Sequence, residues 1–380
     1  MNSPHRFEAS ARHLSQRQIA TSLLQWWDYS HADLPWRASR DPYAIWVAEV
    51  MLQQTQIATV IPYYKRWMKR FPTIAELAKA PLDDVLKLWE GLGYYSRARN
   101  LHAAAGRIIE EFDGLLPKQA SDLMSLPGIG RYTAGAIASI AFDQQVPVLD
   151  GNIVRVFTRL IDLTGDISKT STINDLWKLA DSLVPEQRPG DYNQALMELG
   201  QRLCSVTSPQ CSLCPLEEIC LANERGTQHE RPFRSPRKQI PHFDVVAGII
   251  WQNQNRASSA SFMITQRPLN GMLGGLWEFP GGKRETGETL VETLQREICE
   301  ELRLDISIGD QLTTIRHAYT HFRITLHAFH ANYQGGEPQH IGVTDHAWVT
   351  LADLEKFAFA ATDKQIITAL RADMIGRTGT

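Results

Sequence analysis

The chain has 380 residues, which at roughly 100–200 residues per domain predicts two domains. Hydrophobic residues make up 43% of it and charged residues 21%, values that are typical of globular chains and exclude wholesale disorder. The formal net charge is -3, from 39 Lys and Arg against 42 Asp and Glu, so the overall charge does not predict a polyanionic partner.

Neither a membrane helix nor a secretion signal is predicted. The longest apolar stretch, residues 132–142, is far shorter than the roughly 18 apolar residues of a membrane helix. The N-terminal segment MNSPHRFEASARHLSQRQ lacks the apolar core of a secretory signal. We expect a monomeric, cytoplasmic protein that does not associate with membranes.

Residues 15–222 have the pattern of a helical domain. Apolar residues recur at three- and four-residue intervals from Ser15 to about Cys220, as they do in helices that bury one face. Helix breakers separate the periodic runs. The runs are QIATSLLQWW, AIWVAEVMLQQTQIATVIPYY, DDVLKLWE, RNLHAAAGRIIEEF and TAGAIASIAF. We expect a compact all-helical domain over residues 15–222, preceded by an N-terminal tail over residues 1–14.

The composition changes after the helical runs. Residues 223–242 contain three prolines, and between Arg225 and Lys238 five Lys or Arg stand against the single acid Glu230. This predicts an interdomain linker whose positive charge is either solvated or in contact with phosphate. Beyond it, the strand patterns VVAGII, ASFMITQR, HFRITLHAFHA and DHAWVTL and the helical runs 288–302 and 362–374 predict a mixed α and β domain over residues 243–380.

Four of the five cysteines lie within seventeen residues, in the spacing C-x6-C-x2-C-x5-C. A Cys-x-x-Cys pair flanked by two more thiolates is typical of a metal site, and either zinc or a [4Fe–4S] cluster fits four thiolates. Disulfides are disfavoured because the chain has no secretion signal and is not rich in cysteine. Cys299, in the second domain, is expected to be a packed thiol. The four clustered residues are Cys204, Cys211, Cys214 and Cys220.

A glycine turn precedes the run TAGAIASIAF. Gly128 and Gly130 lie in the segment LPGIGR. Two glycines in a tight turn expose backbone N–H groups at a helix N-terminus, and such groups can bind a phosphate. An ordinary turn between two helices has the same pattern, so the motif alone leaves both interpretations open.

Two carboxylates stand in different predicted environments. Asp150 follows an apolar run and precedes Gly151-Asn152, where it either caps the next helix or takes part in catalysis. Glu49 lies in an otherwise apolar helix face, where burial would raise its pKa, and it is either a proton donor or a paired core acid. Glycosidases divide their chemistry between two such carboxylates, one protonating the leaving group and one stabilising the sugar cation.

The cysteine spacing at the end of a helical domain, together with the glycine turn, resembles the iron–sulfur helix-hairpin-helix glycosylases of the endonuclease III superfamily. This resemblance implies a [4Fe–4S] cluster with a structural role. The segments WVAEVMLQQTQ, GLGYYSRARNL, LPGIGRYTAGAIASIAF and LDGNIVRV resemble those of MutY-type adenine DNA glycosylases, and the likeness runs through both domains. It implies a partner, double-stranded DNA that contains adenine mispaired with 8-oxoguanine or guanine.

The resemblance also implies roles for individual residues. Glu49 would handle the protonation of adenine and Asp150 would stabilise the cation, with Tyr132 and Asn152 in support. Superfamily members that also nick the DNA backbone carry a lysine where this chain has Tyr132, so imine chemistry is not expected and base release should be the whole reaction. The other matched residues are Arg37 in the adenine pocket, and Gln54 and Tyr94, which probe the base stack where adenine is flipped out.

The second domain carries a pattern close to the Nudix box, G-x5-E-x7-R-E-U-x-E-E-x-G-U, where U is apolar. The pattern begins at Gly282 and departs from the box only at Arg303, which replaces a glycine. Nudix glutamates bind Mg²⁺ for pyrophosphate hydrolysis, although a solvated acidic helix face is an alternative here. In the MutY-type resemblance this domain instead recognises 8-oxoguanine through a loop, in which Tyr319-Thr320-His321 replaces the expected Phe-Ser-His.

Three other functions fit parts of the sequence. One is a Nudix nucleotide hydrolase tethered to a DNA-binding helical domain. Another is a non-catalytic lesion-binding module, which the presence of both Glu49 and Asp150 disfavours. The third is another base specificity within the superfamily, such as thymine opposite guanine. The expected fold class is the same for all: a multidomain α and α+β chain, with an all-helical helix-hairpin-helix domain and its cluster loop followed by a Nudix-like α/β domain.

Overall fold

The computed structural model describes residues 11, 13–236, 240–253, 256 and 259–378, with side chains as far as residue 375. The chain divides into two compact units, Met1–Lys79 with Asn100–Arg237 and Ala80–Arg99 with Lys238–Thr380. The first unit is helical and the second combines helices with a mixed sheet, which confirms the predicted fold class. Among the described residues, no helix is both long and apolar enough to cross a membrane.

Short loops join the helices of the N-terminal part, and several helices begin at an acid or hydroxyl cap. Asp41, for example, accepts a hydrogen bond from the backbone N–H of Tyr43 and is followed by Pro42 at the first helical position. The described helices are α1 (Gln16–Ser30), α2 (Pro42–Leu52), α3 (Ile57–Arg70), α4 (Ile74–Lys79), α5 (Leu82–Trp89), α6 (Ser96–Glu111), α7 (Ala120–Leu123), α8 (Arg131–Phe142), α9 (Gly151–Leu160), α10 (Thr170–Leu183), α11 (Pro189–Arg202) and α12 (Leu221–Glu224).

One predicted helical run is two helices. The run AIWVAEVMLQQTQIATVIPYY has helical periodicity throughout, but α2 ends at Leu52 and α3 begins at Ile57. Between them Gln54 has a φ of 57°, in the left-handed region that costs a residue with a side chain about 1–2 kcal/mol. The four residues between the helices, QQTQ, are all polar, and this break in the apolar pattern is where the helix stops.

The core of the first unit lies among α1, α9, α10 and α11. Each contributes one apolar face, and α9 is buried along almost its whole length. This packing fixes the start of α9, where Asp150 is the N-cap residue. Representative buried side chains are Leu23, Trp27, Ile153, Phe157, Leu176, Leu179, Tyr192 and Leu196.

In the second unit the described strands form one six-stranded sheet with a helix on each face. β1 runs parallel to β5, and the other pairings are antiparallel, in the order β3-β2-β1-β5-β4 with β6 also on β2. Alternate residues of β1 pack towards α14 on one face and α13 on the other. The elements are β1 (His242–Trp251), β2 (Phe262–Gln266), β3 (Trp277–Glu278), α13 (Leu290–Leu302), β4 (Asp305–Ala318), β5 (Arg323–Gly335), β6 (Asp345–Val349) and α14 (Ala361–Thr378).

The segment Ala80–Arg99 belongs to the second unit, whereas the prediction had it inside the helical domain of residues 15–222. The Glu90 carboxylate accepts a hydrogen bond from the backbone N–H of Phe359 at 2.9 Å and pairs with Lys364 Nζ at 3.0 Å. Lys87 Nζ donates to the carbonyl of Phe357 at 2.7 Å. These partners are about 270 residues away along the chain, and the amphipathic pattern of α5 does not encode which unit covers its apolar face.

The predicted linker packs against the first unit as far as it is described. Arg231 is buried and its Nε lies 2.8 Å from Asp162 Oδ1, and Arg225 Nη1 lies 3.0 Å from Asp162 Oδ2. The backbone N–H of Ile167 donates to the carbonyl of Phe233 at 3.0 Å. Two of the five linker cations are therefore ion-paired within the protein, while two others, residues 237 and 238, lie outside the described residues.

Candidate active site

A glycine turn connects α7 to α8, as the helix-hairpin-helix pattern predicts. Gly128 has a φ of 75°, and a Cβ there would lie 2.6 Å from the Cβ of Asn100. Both the backbone conformation and the lack of room for a side chain therefore require glycine. Gly130 is the N-cap of α8 with an ordinary φ of -88°, and a Cβ there would meet nothing within 4 Å. The backbone N–H groups at the start of this 12-residue helix are therefore open to an anion such as a phosphate.

A cleft of about 770 Å³ opens in the first unit, and it is lined by α2, α8, α9, α11 and the segment before α2. It brings together six predicted site residues that are far apart in sequence. These six are Arg37, Glu49, Gln54, Tyr132, Asp150 and Asn152.

The carboxylate of Asp150 lies at the N-terminal end of α9, where Asp150 is the N-cap residue. Its Oδ1 accepts the backbone N–H of Ile153 at 2.8 Å, and its Oδ2 accepts Nδ2 of Asn152 at 2.8 Å. Burial raises the pKa of Asp150, whereas these N–H donors oppose that rise because they favour the charged form. The sequence left capping and catalysis as alternatives, and in this geometry one carboxylate caps the helix and also lines the cleft.

Glu49 is buried near the C-terminal end of α2. Tyr132 donates its hydroxyl to Glu49 Oε2 at 2.7 Å, and Met197 Sδ lies 3.1 Å from the same hydroxyl. Desolvation raises the pKa of Glu49 to about 7; the Tyr132 hydrogen bond opposes this rise and the nearby charge of Asp150 adds to it. A carboxyl group with this pKa carries a proton in a large fraction of molecules at neutral pH, which suits a general acid.

Arg155 is a residue that the sequence reasoning missed. Its Nη2 donates to Asn152 Oδ1 at 2.9 Å and to the carbonyl of Gly200 at 2.6 Å, and its Nε donates to the carbonyl of Cys204 at 2.7 Å. Asn152 is thus held between Arg155 and Asp150. The signal in the sequence was a charged residue in the apolar run IVRVF, which implies a buried partner.

Arg37 lines the cleft, and an ion pair that the sequence did not reveal holds it in place. Its Nη1 lies 2.6 Å from Glu198 Oε2, and its guanidinium stacks on the Trp27 ring with 4.6 Å to the ring centre. Arg202 binds the other oxygen of Glu198 at 2.7 Å. Glu198 is almost completely buried. A buried carboxylate needs opposite charge close by, and the two arginines supply it.

The four clustered cysteines are free thiols that line one small cavity at the end of the first unit. Arg159 Nη1 lies 3.2 Å from Cys204 Sγ and donates to the carbonyl of Ser205 at 2.7 Å. Burial raises the pKa of Cys214 to about 12 and also raises the pKa of Cys220. Four half-buried thiols with a nearby guanidinium form a donor set that fits a thiolate-bound metal group.

In the second unit, Tyr319-Thr320-His321 forms the turn between β4 and β5. The backbone N–H of Tyr319 donates to the carbonyl of Phe322 at 2.9 Å, and the two rings pack 4.9 Å apart, so Tyr319 anchors the turn. Thr320 and His321 are exposed. Tyr94, also in this unit, has a φ of 46°, and its hydroxyl lies 2.5 Å from Thr320 Oγ1. Tyr94 and Thr320, which were both predicted to contact the DNA, therefore share a hydrogen bond.

Two acids of the Nudix-like helix α13, and Glu288 just before it, pair with one arginine. Arg296 Nε lies 2.6 Å from Glu288 Oε1, and its Nη1 lies 3.1 Å from Glu297 and 3.0 Å from Glu300. Cys299 was expected to be packed, but it is exposed. The expectation was wrong because α13 buries Leu294, Ile298 and Leu302, and the residue after Ile298 points about 100° away from that stripe.

The glycine turn between two helices and the cleft that holds Glu49 and Asp150 fit a DNA glycosylase of the helix-hairpin-helix class. In agreement, residues 47–182 match the model of the HhH-GPD superfamily base excision DNA repair protein, and residues 246–369 match the NUDIX domain. A solved thermostable thymine-DNA glycosylase is 27% identical with a TM-score of 0.50, covering 55% of this chain and 97% of its own.

Two relatives that match more than nine-tenths of this chain are more specific. The adenine DNA glycosylase of Rattus norvegicus is 35% identical over 91% of this chain and 76% of its own length. That of Homo sapiens is 36% identical over 93% of this chain and 74% of its own length. The chain belongs to the adenine DNA glycosylase family. It is a DNA-binding enzyme of base excision repair that excises adenine by hydrolysing the N-glycosidic bond.

Proposed function

We propose that this chain is a monofunctional glycosylase for adenine opposite 8-oxoguanine or guanine, with Glu49 as the acid and Asp150 as the cation-stabilising carboxylate. The observation that carries the proposal is the meeting of Glu49 and Asp150 in one cleft, each with its own hydrogen-bond partners. The match to adenine glycosylases extends over nine-tenths of the chain, whereas the thymine-DNA glycosylase matches about half of it. This favours adenine over thymine.

Glu49 supplies the proton that makes adenine a leaving group. Tyr132 donates to Glu49 Oε2, which leaves the proton of the neutral acid on the other oxygen, available to a base in the cleft. Adenine leaves as a neutral base only when one of its ring nitrogens is protonated, because an adenine anion is a poor leaving group. Tyr132 therefore orients the acid.

Asp150 stabilises the positive charge that develops on the deoxyribose as the base departs. Its carboxylate is fixed from both sides, by Ile153 N–H and by Asn152, and Arg155 fixes Asn152 in turn. A carboxylate held in place before the reaction needs no reorganisation when the charge appears. Water then adds to the cation, and the product is an abasic site.

The position of Tyr132 supports base release without strand cleavage. A glycosylase that also nicks the backbone needs an amine that attacks the sugar and forms an imine. Here the side chain is a phenol, and its hydroxyl is committed to Glu49. Strand breaks are expected only where alkali cleaves the abasic product.

We assign a [4Fe–4S] cluster to Cys204, Cys211, Cys214 and Cys220. All four cysteines line one small cavity in the described part of the chain. Four thiolates can hold either zinc or a [4Fe–4S] cluster, and the spacing C-x6-C-x2-C-x5-C, which resembles that of the iron–sulfur helix-hairpin-helix glycosylases, favours the cluster. When bound, the cluster supplies a rigid cross-link. Arg155 and Arg159 then tie its loop to α9, which begins at Asp150.

Cys214→Ser is expected to remove most of the bound iron and the visible absorbance, and to lower the melting temperature, because one of the four cluster ligands is lost. Cys299→Ser is the matched control, since this thiol is exposed and outside the set. Iron analysis and a thermal melt check both variants. Stoichiometric zinc without iron in the unmodified chain would refute the cluster assignment.

Recognition of 8-oxoguanine is assigned to the turn Tyr319-Thr320-His321 together with Tyr94. Thr320 and His321 present a hydroxyl and an imidazole to solvent, and Tyr94 holds the Thr320 hydroxyl. Thr320→Val is expected to lower the preference for 8-oxoguanine over guanine by about fivefold to tenfold, the effect of losing one hydrogen bond of about 1 kcal/mol. The measurement is single-turnover adenine release from the two duplexes.

Thr314→Val is the control for this experiment, because Thr314 is an exposed threonine of β4, the strand that leads into the turn, and lies outside the turn itself. Its ratio of rates on the two duplexes should equal that of the unmodified chain. An unchanged ratio in Thr320→Val would move lesion recognition to another part of the molecule.

A further inference from the structure

Three side chains with metal-binding atoms meet in the second unit and take no part in the chemistry above. His340, Asp345 and His346 each place one ligand atom within 4.8 Å of the others. His340 Nε2 and His346 Nδ1 lie 2.8 Å apart. Two imidazole nitrogens and one carboxylate oxygen form a donor set that zinc accepts in sites with three protein ligands and a water.

The His340 side of the cluster is held by the end of α13. The backbone N–H of Gln339 donates to the carbonyl of Leu302 at 2.9 Å, and that of Ile341 donates to the carbonyl of Glu301 at 3.1 Å. His340 lies between these two bonds. The loop that carries it is therefore fixed at both neighbouring residues.

The other side of the cluster is held by the sheet. Asp345 and His346 are the first residues of β6, and they pair with Gln266 and Thr265 of β2. Asp345 Oδ1 accepts the backbone N–H of His346 at 2.8 Å, which turns its carboxylate towards the cluster. Because both sides are fixed by backbone hydrogen bonds, a metal ion would order only three side chains on binding.

The charge and the spacing of the cluster suit a divalent cation. Gln266, the pairing partner of Asp345, donates its side chain to Asp83 Oδ1 at 3.1 Å, which adds a second carboxylate to the neighbourhood. Zn–N bonds of about 2.0–2.1 Å in a tetrahedral site need the two nitrogens about 3.3 Å apart, so the ring nitrogens need to separate by about half an ångström. The proton shared between the rings moves to the other nitrogen of one ring, and both imidazoles stay neutral.

We propose that His340, Asp345 and His346 form a zinc-binding site that clamps the loop before β6, which is hydrogen-bonded to the end of α13, to the first residues of β6. The fourth position is left to water. The expected consequence is that zinc stabilises the second unit, because it binds the folded arrangement of these three side chains more tightly than it binds the unfolded chain.

The test is a calorimetric titration of Zn²⁺ into the full chain in metal-free buffer. We expect a micromolar site that is weakened by about tenfold or more in His340→Ala and in His346→Ala, since even loss of a residue that only supports a metal ligand costs that much. His242→Ala is the control, because His242 is an exposed histidine of the same unit outside the cluster. Identical isotherms for all four proteins, or only millimolar binding, would overturn the proposal.

A thermal melt compared between variants separates this site from other zinc sites, because any shift that zinc causes elsewhere is shared by all the variants. Added zinc should raise the melting temperature of the unmodified chain and of His242→Ala, and should leave that of His340→Ala unchanged. Both histidines of the cluster are at least partly exposed, so the alanine variants are expected to fold. An equal zinc-dependent shift in His340→Ala would contradict the clamp.

Discussion

Asp150→Asn should reduce single-turnover adenine release by about a thousandfold and leave duplex binding intact. At a separation of about 4 Å and an effective dielectric constant of about 20, a carboxylate and a sugar cation attract each other by about 4 kcal/mol. That energy corresponds to about three orders of magnitude in rate. Asparagine keeps the shape of the side chain and remains a good N-cap, so α9 should still begin at this position.

A second N-cap aspartate provides the matched control. Asp41 caps α2 by accepting the backbone N–H of Tyr43 at 3.0 Å, and it does not line the cleft. Asp41→Asn should therefore release adenine at nearly the normal rate, with a melting temperature close to that of Asp150→Asn. If both variants kept full activity, Asp150 would be a helix cap and nothing more.

Glu49→Gln should also abolish adenine release, and it should stabilise the protein at alkaline pH. Glutamine has no proton to give, but it can still accept the Tyr132 hydroxyl. In the unmodified chain, burial raises the pKa of Glu49 from 4.5 to about 7. Between these two values the folded state binds more protons than the unfolded state, so stability falls as the pH rises through this window.

Ionisation of the buried Glu49 lowers the free energy of unfolding, and this loss is fully present above pH 7, where it amounts to at most about 3 kcal/mol. Glu49→Gln should therefore melt at a higher temperature than the unmodified chain at pH 8, and at the same temperature near pH 4. Glu198→Gln should do the opposite at pH 8, because Glu198 neutralises Arg37 and Arg202 and its loss leaves buried positive charge. Denaturation at the two pH values measures both effects.

The same proton gives the reaction its pH dependence. Adenine release under single-turnover conditions should fall as the pH rises through about 7, because the acid form of Glu49 is then lost. A rate that stays constant from pH 6 to pH 9, or a Glu49→Gln variant that is fully active, would show that another group protonates the base.

The elements that could be predicted from the sequence are those with strong local signals. The cysteine spacing, the glycine turn and the segments around Glu49 and Asp150 were all recognised from short motifs. The meeting of Glu49 and Asp150 in one cleft was implied by the resemblance alone, because periodicity does not specify how helices pack.

The contacts that were missed depend on long-range packing. Arg155 reaches Gly200 and Cys204, and only the folded chain brings these carbonyls to the guanidinium. The segment Ala80–Arg99 joined the second unit through partners near residue 360. An amphipathic helix encodes that one face is buried, but not what buries it.

Strand β4 was missed for a local reason. Its register against β5 shifts in the first half of the strand, at Asp305/Ile306 and twice between Ile308 and Thr313. Each shift moves the following side chains relative to the faces of the sheet, so the alternation of apolar and polar residues is interrupted. Strand β5, which the pattern HFRITLHAFHA predicted, alternates between buried and more exposed residues from Arg323 to Ala328.

The measurement that tests the central claim most directly is single-turnover release of free base from duplexes with adenine opposite 8-oxoguanine, guanine or thymine, scored with and without alkali. The account predicts adenine release opposite 8-oxoguanine and guanine, fastest opposite 8-oxoguanine, with strand breaks only after alkali. Strand cleavage without alkali, or no adenine release from protein that still binds the duplex, would contradict it.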